Sequence, residues 1–352
     1  MFERIAPEQH DTLPDIPEPA ENPILVGHDS ARSMLAGAYR AGKLHHALLL
    51  AGPRGIGKAT LAFHLALHLF THPDHAMAPD NLDATDPGTQ AFRLLAQGAH
   101  PGLLHLTRPY SERDKKFRTV ITVDEIRRVN RFLSMTASDG GYRVVIVDPA
   151  DDMNTSAANA LLKNLEEPPP RTLFILIAHS FGRLLPTIRS RCQTIKLQPL
   201  GAEGLEELLH RLGMELPPGE KERRLLIERS GGSVRSAVLL TQFGGLEIAA
   251  AVEKILGGRT LDVAESFLLA EATIGRDRQV QFDLFNRIAH DRAADAAAQA
   301  AEDGQVEQAA RLAVLWEELA ADTREMEVFN LDRKQHVMGT MQRLHAALGN
   351  LR

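Results

Sequence analysis

His46-Ala-Leu-Leu-Leu-Ala-Gly52-Pro-Arg-Gly55-Ile-Gly57-Lys58-Ala59-Thr60 decides how this chain folds. Its first half is an unbroken apolar run, the pattern of a strand buried on both faces of a parallel sheet. Its second half matches G-x-x-x-x-G-K-[ST] except at the last position, where Ala59 replaces the hydroxyl residue. Beyond Lys58, Leu61, Leu65 and Leu69 recur at helical spacing. Strand, glycine loop and helix together hold phosphates: backbone N–H groups turn inward, the helix N-terminus adds a favourable field, and Lys58 supplies a point charge. Gly52, Gly55, Gly57, Lys58 and Thr60 are therefore the candidate nucleotide-binding residues. The missing hydroxyl is the one that ordinarily ligates Mg²⁺.

Working outward, residues 103–106, 144–147, 172–178 and 193–197 read as further strands separated by helical stretches. The predicted class is α/β, a parallel sheet covered on both faces. Asp148 ends the third strand and is the Walker-B-type carboxylate. An active hydrolase of this architecture carries Glu next; here Pro149 follows. Asp151 and Asp152 read as the cap and first turn of the helix over 154–166. With Ala59 and Pro149 in place, hydrolysis by this chain alone is expected to be negligible. Weak ATP or ADP binding is expected, with no required cofactor.

Beyond Pro199 the strands stop. Helical patterns at about 201–212, 219–229 and 233–243 predict a small helical unit, and Gly244-Gly245 marks a boundary. The expected divisions are a loose polar leader over 1–21, a nucleotide-binding-like domain over 22–199, a helical lid over 200–243 and a helical domain over 246–352. Of 352 residues, 44% are hydrophobic and 24% charged, an ordinary soluble composition. No apolar run approaches the ~20 residues that span a bilayer, and the leader lacks a signal peptide's apolar stretch. The single cysteine, Cys192, excludes an intramolecular disulfide and a Cys-type zinc site and fits a reducing cytoplasm.

The net charge of −6 sits in residues 243–352, which hold 12 basic against 18 acidic side chains. The one dense basic cluster, Lys115, Lys116, Arg118, Arg127, Arg128 and Arg131, reads as a solvated hairpin and helix face rather than a phosphate track. His45, His46 and His179 fit either a nucleotide contact or an ordinary surface role. His64, His68, His72 and His75 lack a partner set for zinc. Leu184 to Cys192 is a short helix-like segment at the rim of the sheet. Arg191 within it has the position of an arginine offered to a neighbouring subunit, although most surface arginines end in ion pairs. Arg235 has two readings, a reach back to a γ-phosphate or a brace between domains.

Several of these motifs together resemble the clamp-loader ATPases of the AAA+ class, most of all the delta-prime family that serves bacterial DNA polymerase III. They are Val26-Gly27-His28, the loop 52–58, Asp148 to Asn154 and Ala158-Asn-Ala-Leu-Leu-Lys163 with Leu165-Glu-Glu-Pro-Pro169. Leu184 to Cys192, Gly232-Ser-Val-Arg235 and Asn330 to Lys334 complete the set. The resemblance spans nearly the whole chain. It implies a three-domain arm whose C-terminal helices join a collar. It also implies a subunit that does not hydrolyse ATP and presents Arg191, flanked by Ser190 and Cys192, in trans to ATP on a motor subunit. The implied partners are gamma/tau-type motors, a delta-type clamp-opening subunit and, through the complex, the sliding clamp and primer-template DNA. The implied complex-level activity is that of a DNA-directed DNA polymerase. Relatives with a four-cysteine zinc module differ here, since residues 72–101 contain no cysteine. The alternatives are an ATP-hydrolysing motor of the same loader and a freestanding AAA+ helicase or remodelling ATPase.

Overall fold

The computed structural model describes residues 3–82, 85–134, 141–275, 278–329 and 331–349. In chain order the first elements are α1 (Asp29–Arg40), β1 (Ala47–Ala51), α2 (Lys58–Thr71), α3 (Gln90–Ala96) and β2 (Leu103–Leu106). The hairpin β3 (Tyr110–Ser111) and β4 (Lys116–Phe117) precedes α4 (Val123–Ser134), β5 (Arg143–Val147), α5 (Thr155–Glu166), β6 (Thr172–Ala178), α6 (Pro186–Arg189) and β7 (Gln193–Lys196). Then come α7 (Ala202–Arg211), α8 (Glu220–Ser230) and α9 (Val234–Gln242), and last α10 (Gly245–Gly257), α11 (Val263–Thr273), α12 (Gln279–Glu302), α13 (Val306–Phe329) and α14 (Arg333–Gly349).

β1 and β6 are buried along their whole length, as their unbroken apolar sequences require. All five strands of the main sheet run parallel, in the order β2-β5-β6-β1-β7. Register pairs Leu49 with Leu176 on one side of β1 and with Thr194 on the other. Because side chains alternate across a strand, Leu48 and Leu50 join Leu61, Leu65, Ile175 and Ile177 in a core shared with α1 and α2. Leu49, Val145 and Phe174 face the opposite core with Ile126, Val129 and Leu161 of α4 and α5. This is a parallel α/β sheet with a core on each face. The loop after β1 and the carboxylate after β5 lie beyond the carboxyl ends of parallel strands, where ligands bind in such sheets.

Residues 1–21 were expected to be loose. Met1 and Phe2 lie outside the described residues, but the remainder packs. Glu21 accepts hydrogen bonds from the backbone N–H groups of Ile5 (2.9 Å), Ala6 (3.0 Å) and Glu18 (2.9 Å). Arg4 donates to the carbonyls of Leu13 and Ile16. Leu13 and Ala6 are buried, and Ala20 packs on the α1/α2 core. The polar composition reflects a segment that satisfies its own backbone, which polarity alone does not distinguish from a solvated chain.

Compactness divides the chain at Ser236/Ala237. The helices α7 and α8 belong to the first unit, where Ser233 and Arg235 bond the loop after β1. The second unit is all helical among its described residues. Its core holds Ile248, Val252, Phe282, Phe285, Val337, Met341 and Leu344. A turn at Gly304, with φ 75°, reverses the chain between α12 and α13. Arg343 of α14 pairs with Glu318 and Asp322 of α13. Asn330 lies outside the described residues. No described helix is long and apolar enough to cross a membrane.

Candidate functional site

Gly55 and Gly57 take φ of 77° and 98°, a left-handed backbone that disfavours any side chain. Gly55 carries a second constraint. A Cβ there would strike Cβ of Arg235 and Oγ of Ser233. The turn before α9 is clamped on the loop: Ser233 Oγ donates to the Arg54 carbonyl at 2.9 Å, and the Arg235 N–H donates to the Gly55 carbonyl at 3.4 Å. His28 Nε2 lies 2.7 Å from the Ile56 carbonyl.

Lys58 opens α2 and is buried. Its ammonium donates to the carbonyls of Gly52 (2.8 Å) and Pro53 (2.5 Å), folding back on its own loop. Burial pulls its pKa down to about 8, with Asp148 and Asp151 opposing. Ala59, where the metal-ligating hydroxyl would stand, packs against the α1/α2 core. Thr60 follows it, about 100° round the helix. Burial pushes the Asp148 carboxyl up to about 7, with Asp11 adding to the rise and Lys58 and Arg54 opposing it. Ala59 brings a methyl group to the corner where a Mg²⁺ site needs an oxygen donor, so that corner lacks one of its ligands. Among the described residues, no cluster of His, Cys, Asp or Glu is arranged to hold a metal.

The two acidic residues expected to cap α5 do other work. Asn154 is the cap, accepting from the Ala157 N–H at 2.9 Å. Asp151 and Asp152 lie instead in a short 3₁₀ turn over Ala150–Asp152 that precedes the cap. The Asp151 carboxylate accepts from the N–H groups of His179 (3.0 Å) and Ser180 (3.2 Å), tying β6 to this turn. Asp152 pairs with Arg108 at 2.6 Å. Burial, with Lys58 and Arg54 adding to it, pulls the His179 pKa down to about 3. His45 and His46 lie elsewhere, bonded to the carbonyls of Ala47 and Leu165.

Arg235 is brought to the loop, but its guanidinium meets a residue that sequence reasoning missed. Asp11 lies 3.5 Å from Arg235 and 2.8 Å from Arg54. Against the cost of burial, these two guanidiniums hold the Asp11 carboxyl far below the usual carboxylate range. Nothing in a polar, Pro-rich leader marks Asp11, though Arg54 inside the loop is a cation in want of an anion.

Arg191 is not gathered into this site. It follows α6, where its Nη1 donates to the Thr187 carbonyl at 2.9 Å and its Nη2 pairs with Glu166 at the end of α5. Its side chain is 35% exposed, so it faces outward from the rim. Ser190 Oγ donates to the Thr187 carbonyl. Cys192 packs against the α4/α5 core, where burial pushes its thiol up to about 12. In the basic cluster, Arg127 and Arg128 pair with Asp124 and Glu125 of the same helix.

Residues 27–201 match the family described as DNA polymerase III, delta subunit. The delta' subunit of DNA polymerase III from Pseudomonas aeruginosa is 42% identical over 193 residues, 54% of each chain. That of Escherichia coli is 34% identical over 165 residues, 47% of this chain and 46% of the relative. The tau subunit of Salmonella typhimurium is 30% identical over 273 residues, 75% of this chain and 40% of the relative. The chain thus spans about half the length of the curated relatives it matches.

Proposed function

We propose that this chain, which belongs to the DNA polymerase III delta-subunit family of AAA+ clamp-loader proteins, is a delta-prime-type stator that hydrolyses no ATP itself. The observation that carries this reading is the disabled metal corner: Ala59 stands where the ligating hydroxyl would and packs against the core, and Pro149 follows Asp148 where a water-polarising acid would stand. A site so built retains phosphate-binding glycines and Lys58 but lacks the hydroxyl metal ligand and the acid that would polarise water. Weak nucleotide binding without turnover follows, and no zinc is required.

Arg191 is then the chemical contribution, made to ATP on a neighbouring motor subunit. A guanidinium stabilises the charge that develops on the transferring phosphate, an effect worth ~10³–10⁵ in rate. To act, Arg191 must leave Glu166. That pair is solvent-facing, and such pairs are worth about 0–1 kcal/mol. The trans contribution is far larger, so the intrachain pair is a resting place that does not prevent the role. Residues 246–352 serve as the collar element and 200–243 as the lid. The partners are gamma/tau-type motors and a delta-type clamp-opening subunit, with the sliding clamp and primer-template DNA engaged through the assembly in the cytoplasm.

The test is single-turnover hydrolysis in reconstituted complexes where only the motor site adjacent to this subunit is competent. Arg191→Ala is expected to slow that site by at least ~10³-fold while leaving assembly and folding intact. Arg191→Lys should rescue little, since an ammonium lacks the planar fork. Wild-type rates with Arg191→Ala would overturn the assignment. The match to a tau subunit over three quarters of the chain favours one other reading, a motor of the same loader. Intrinsic turnover by the isolated chain that Lys58→Ala abolishes would establish it.

A further inference from the structure

We infer that residues 3–22 form an occluding arm, and that Asp11 stands in the phosphate seat between Arg54 and Arg235 as an intramolecular anion that nucleotide must displace. The inference rests on the reading that this loop binds nucleotide, and it adds a regulator to that site.

Three observations converge on it. First, Asp11 is the shared partner of two cations at the loop. Arg54 comes from the loop itself, and Arg235 from the turn clamped above it. A carboxylate held between two guanidiniums is the arrangement a phosphate oxygen pair would adopt there. Second, the arm is anchored away from the loop. Glu21 binds three of its N–H groups, Arg4 binds two of its carbonyls, and the Asn22 carbonyl meets His64 of α2 at 2.9 Å. Asp11 therefore arrives on a built support and not as a stray surface charge. Third, Lys58 is engaged by carbonyls of its own loop. The site is closed on itself, with its cations already occupied.

The chemistry makes the closure reversible. Asp11 offers one negative charge, whereas the terminal phosphates of a nucleotide offer several, with more acceptor oxygens for the same two arginines and for Lys58. The neighbouring His10, pushed down to about 4 chiefly by burial, is neutral at physiological pH and adds no competing cation. A nucleoside di- or triphosphate can thus outbid the arm, at the expense of affinity. Such a device keeps a site that does no hydrolysis from retaining nucleotide.

The experiment is equilibrium titration of the full chain with a fluorescent ADP analogue. It compares wild type with Asp11→Asn, Glu8→Gln as a control for charge on an exposed arm residue, and Lys58→Ala. Asp11→Asn removes the competing charge from two ion pairs. It is expected to tighten ADP binding about tenfold, within the range typical of charge-assisted hydrogen bonds, while Glu8→Gln leaves it unchanged. Binding by Asp11→Asn where wild type shows none would support the inference equally. As a measurement that needs no variant, backbone hydrogen exchange in residues 9–16 of the wild-type chain should rise when ADP saturates the site. Equal affinities for wild type and Asp11→Asn, with Lys58→Ala defective and exchange unchanged, would overturn the arm's role and leave nucleotide binding standing. No binding by any of the four chains would overturn both.

Discussion

Glu21 is the residue on which the arm hangs, and replacing it tests how the N-terminal segment is held. Its side chain is 2% exposed and accepts from Ile5, Ala6 and Glu18. Hydrogen bonds to a charged group contribute roughly 2 kcal/mol each, so three set a ceiling of about 6 kcal/mol. In Glu21→Gln one oxygen becomes an NH₂ that faces an N–H. One bond is lost outright and two survive at about half strength, so the loss is roughly 4 kcal/mol. That exceeds what a few ion pairs on a half-exposed surface return, so the arm should open locally and the sheet should stay folded. The assay is native-state hydrogen exchange resolved by residue. Protection of the Ile5, Ala6 and Glu18 amides is expected to fall by up to ~10³-fold in Glu21→Gln, with β1 and β6 amides unchanged. Retained protection at those three amides would refute the claim that Glu21 holds the arm. A parallel loss in β1 would refute the claim that the arm opens by itself.

Three further outcomes follow from the loop, a helix and the core. Gly55→Ala places a Cβ at φ 77° against Arg235 and Ser233 and is expected to destabilise by about 2–4 kcal/mol in chemical denaturation. The helical Gly37 has open space around it, so Gly37→Ala is expected to stabilise by up to ~1 kcal/mol. His105, set edge-on to Phe63, has its pKa pulled down to about 4 by burial. The unfolded chain therefore binds more protons between about pH 6.5 and 4, and stability falls as pH drops through that window. His10 and His179 act in the same direction. His105→Leu should remove about 2 kcal/mol of the loss between pH 7.5 and 5. An unchanged loss, read from urea midpoints at the two pH values, would show that His105 is not the group responsible.

The sheet was legible because burial on both faces writes itself as continuous apolar sequence. β2 and β6 begin and end where their apolar runs do, and β1 and β5 shift by a residue. The loop was legible because glycine is demanded by backbone geometry and lysine by phosphate. What could not be read were partnerships between residues far apart in sequence. Two aspartates before a helix look like caps until a 3₁₀ turn holds them, Asn154 takes the cap and Asp151 is left to bind the end of β6. A polar leader looks solvated until Glu21 collects its N–H groups. Arg191 was legible as a rim arginine, but Glu166 as its partner required the closing of α5 against α6. Asp11 is the sharpest case: a single carboxylate in a Pro-rich segment, whose meaning lies in two arginines 43 and 224 positions away.

The thiol of Cys192 has a practical consequence. With a pKa of about 12, its reactive anion makes up on the order of 10⁻⁵ of the population near pH 7. Maleimides, disulfide reagents and peroxide all attack that anion, so the native thiol is expected to react far more slowly than an exposed cysteine. Any cysteine introduced at an exposed position would be the sole fast-reacting thiol in the protein. A fluorophore or cross-linker could then be placed on the arm, on the turn before α9 or beside Arg191 without first removing the native residue, and movements of each could be followed in the unmodified scaffold.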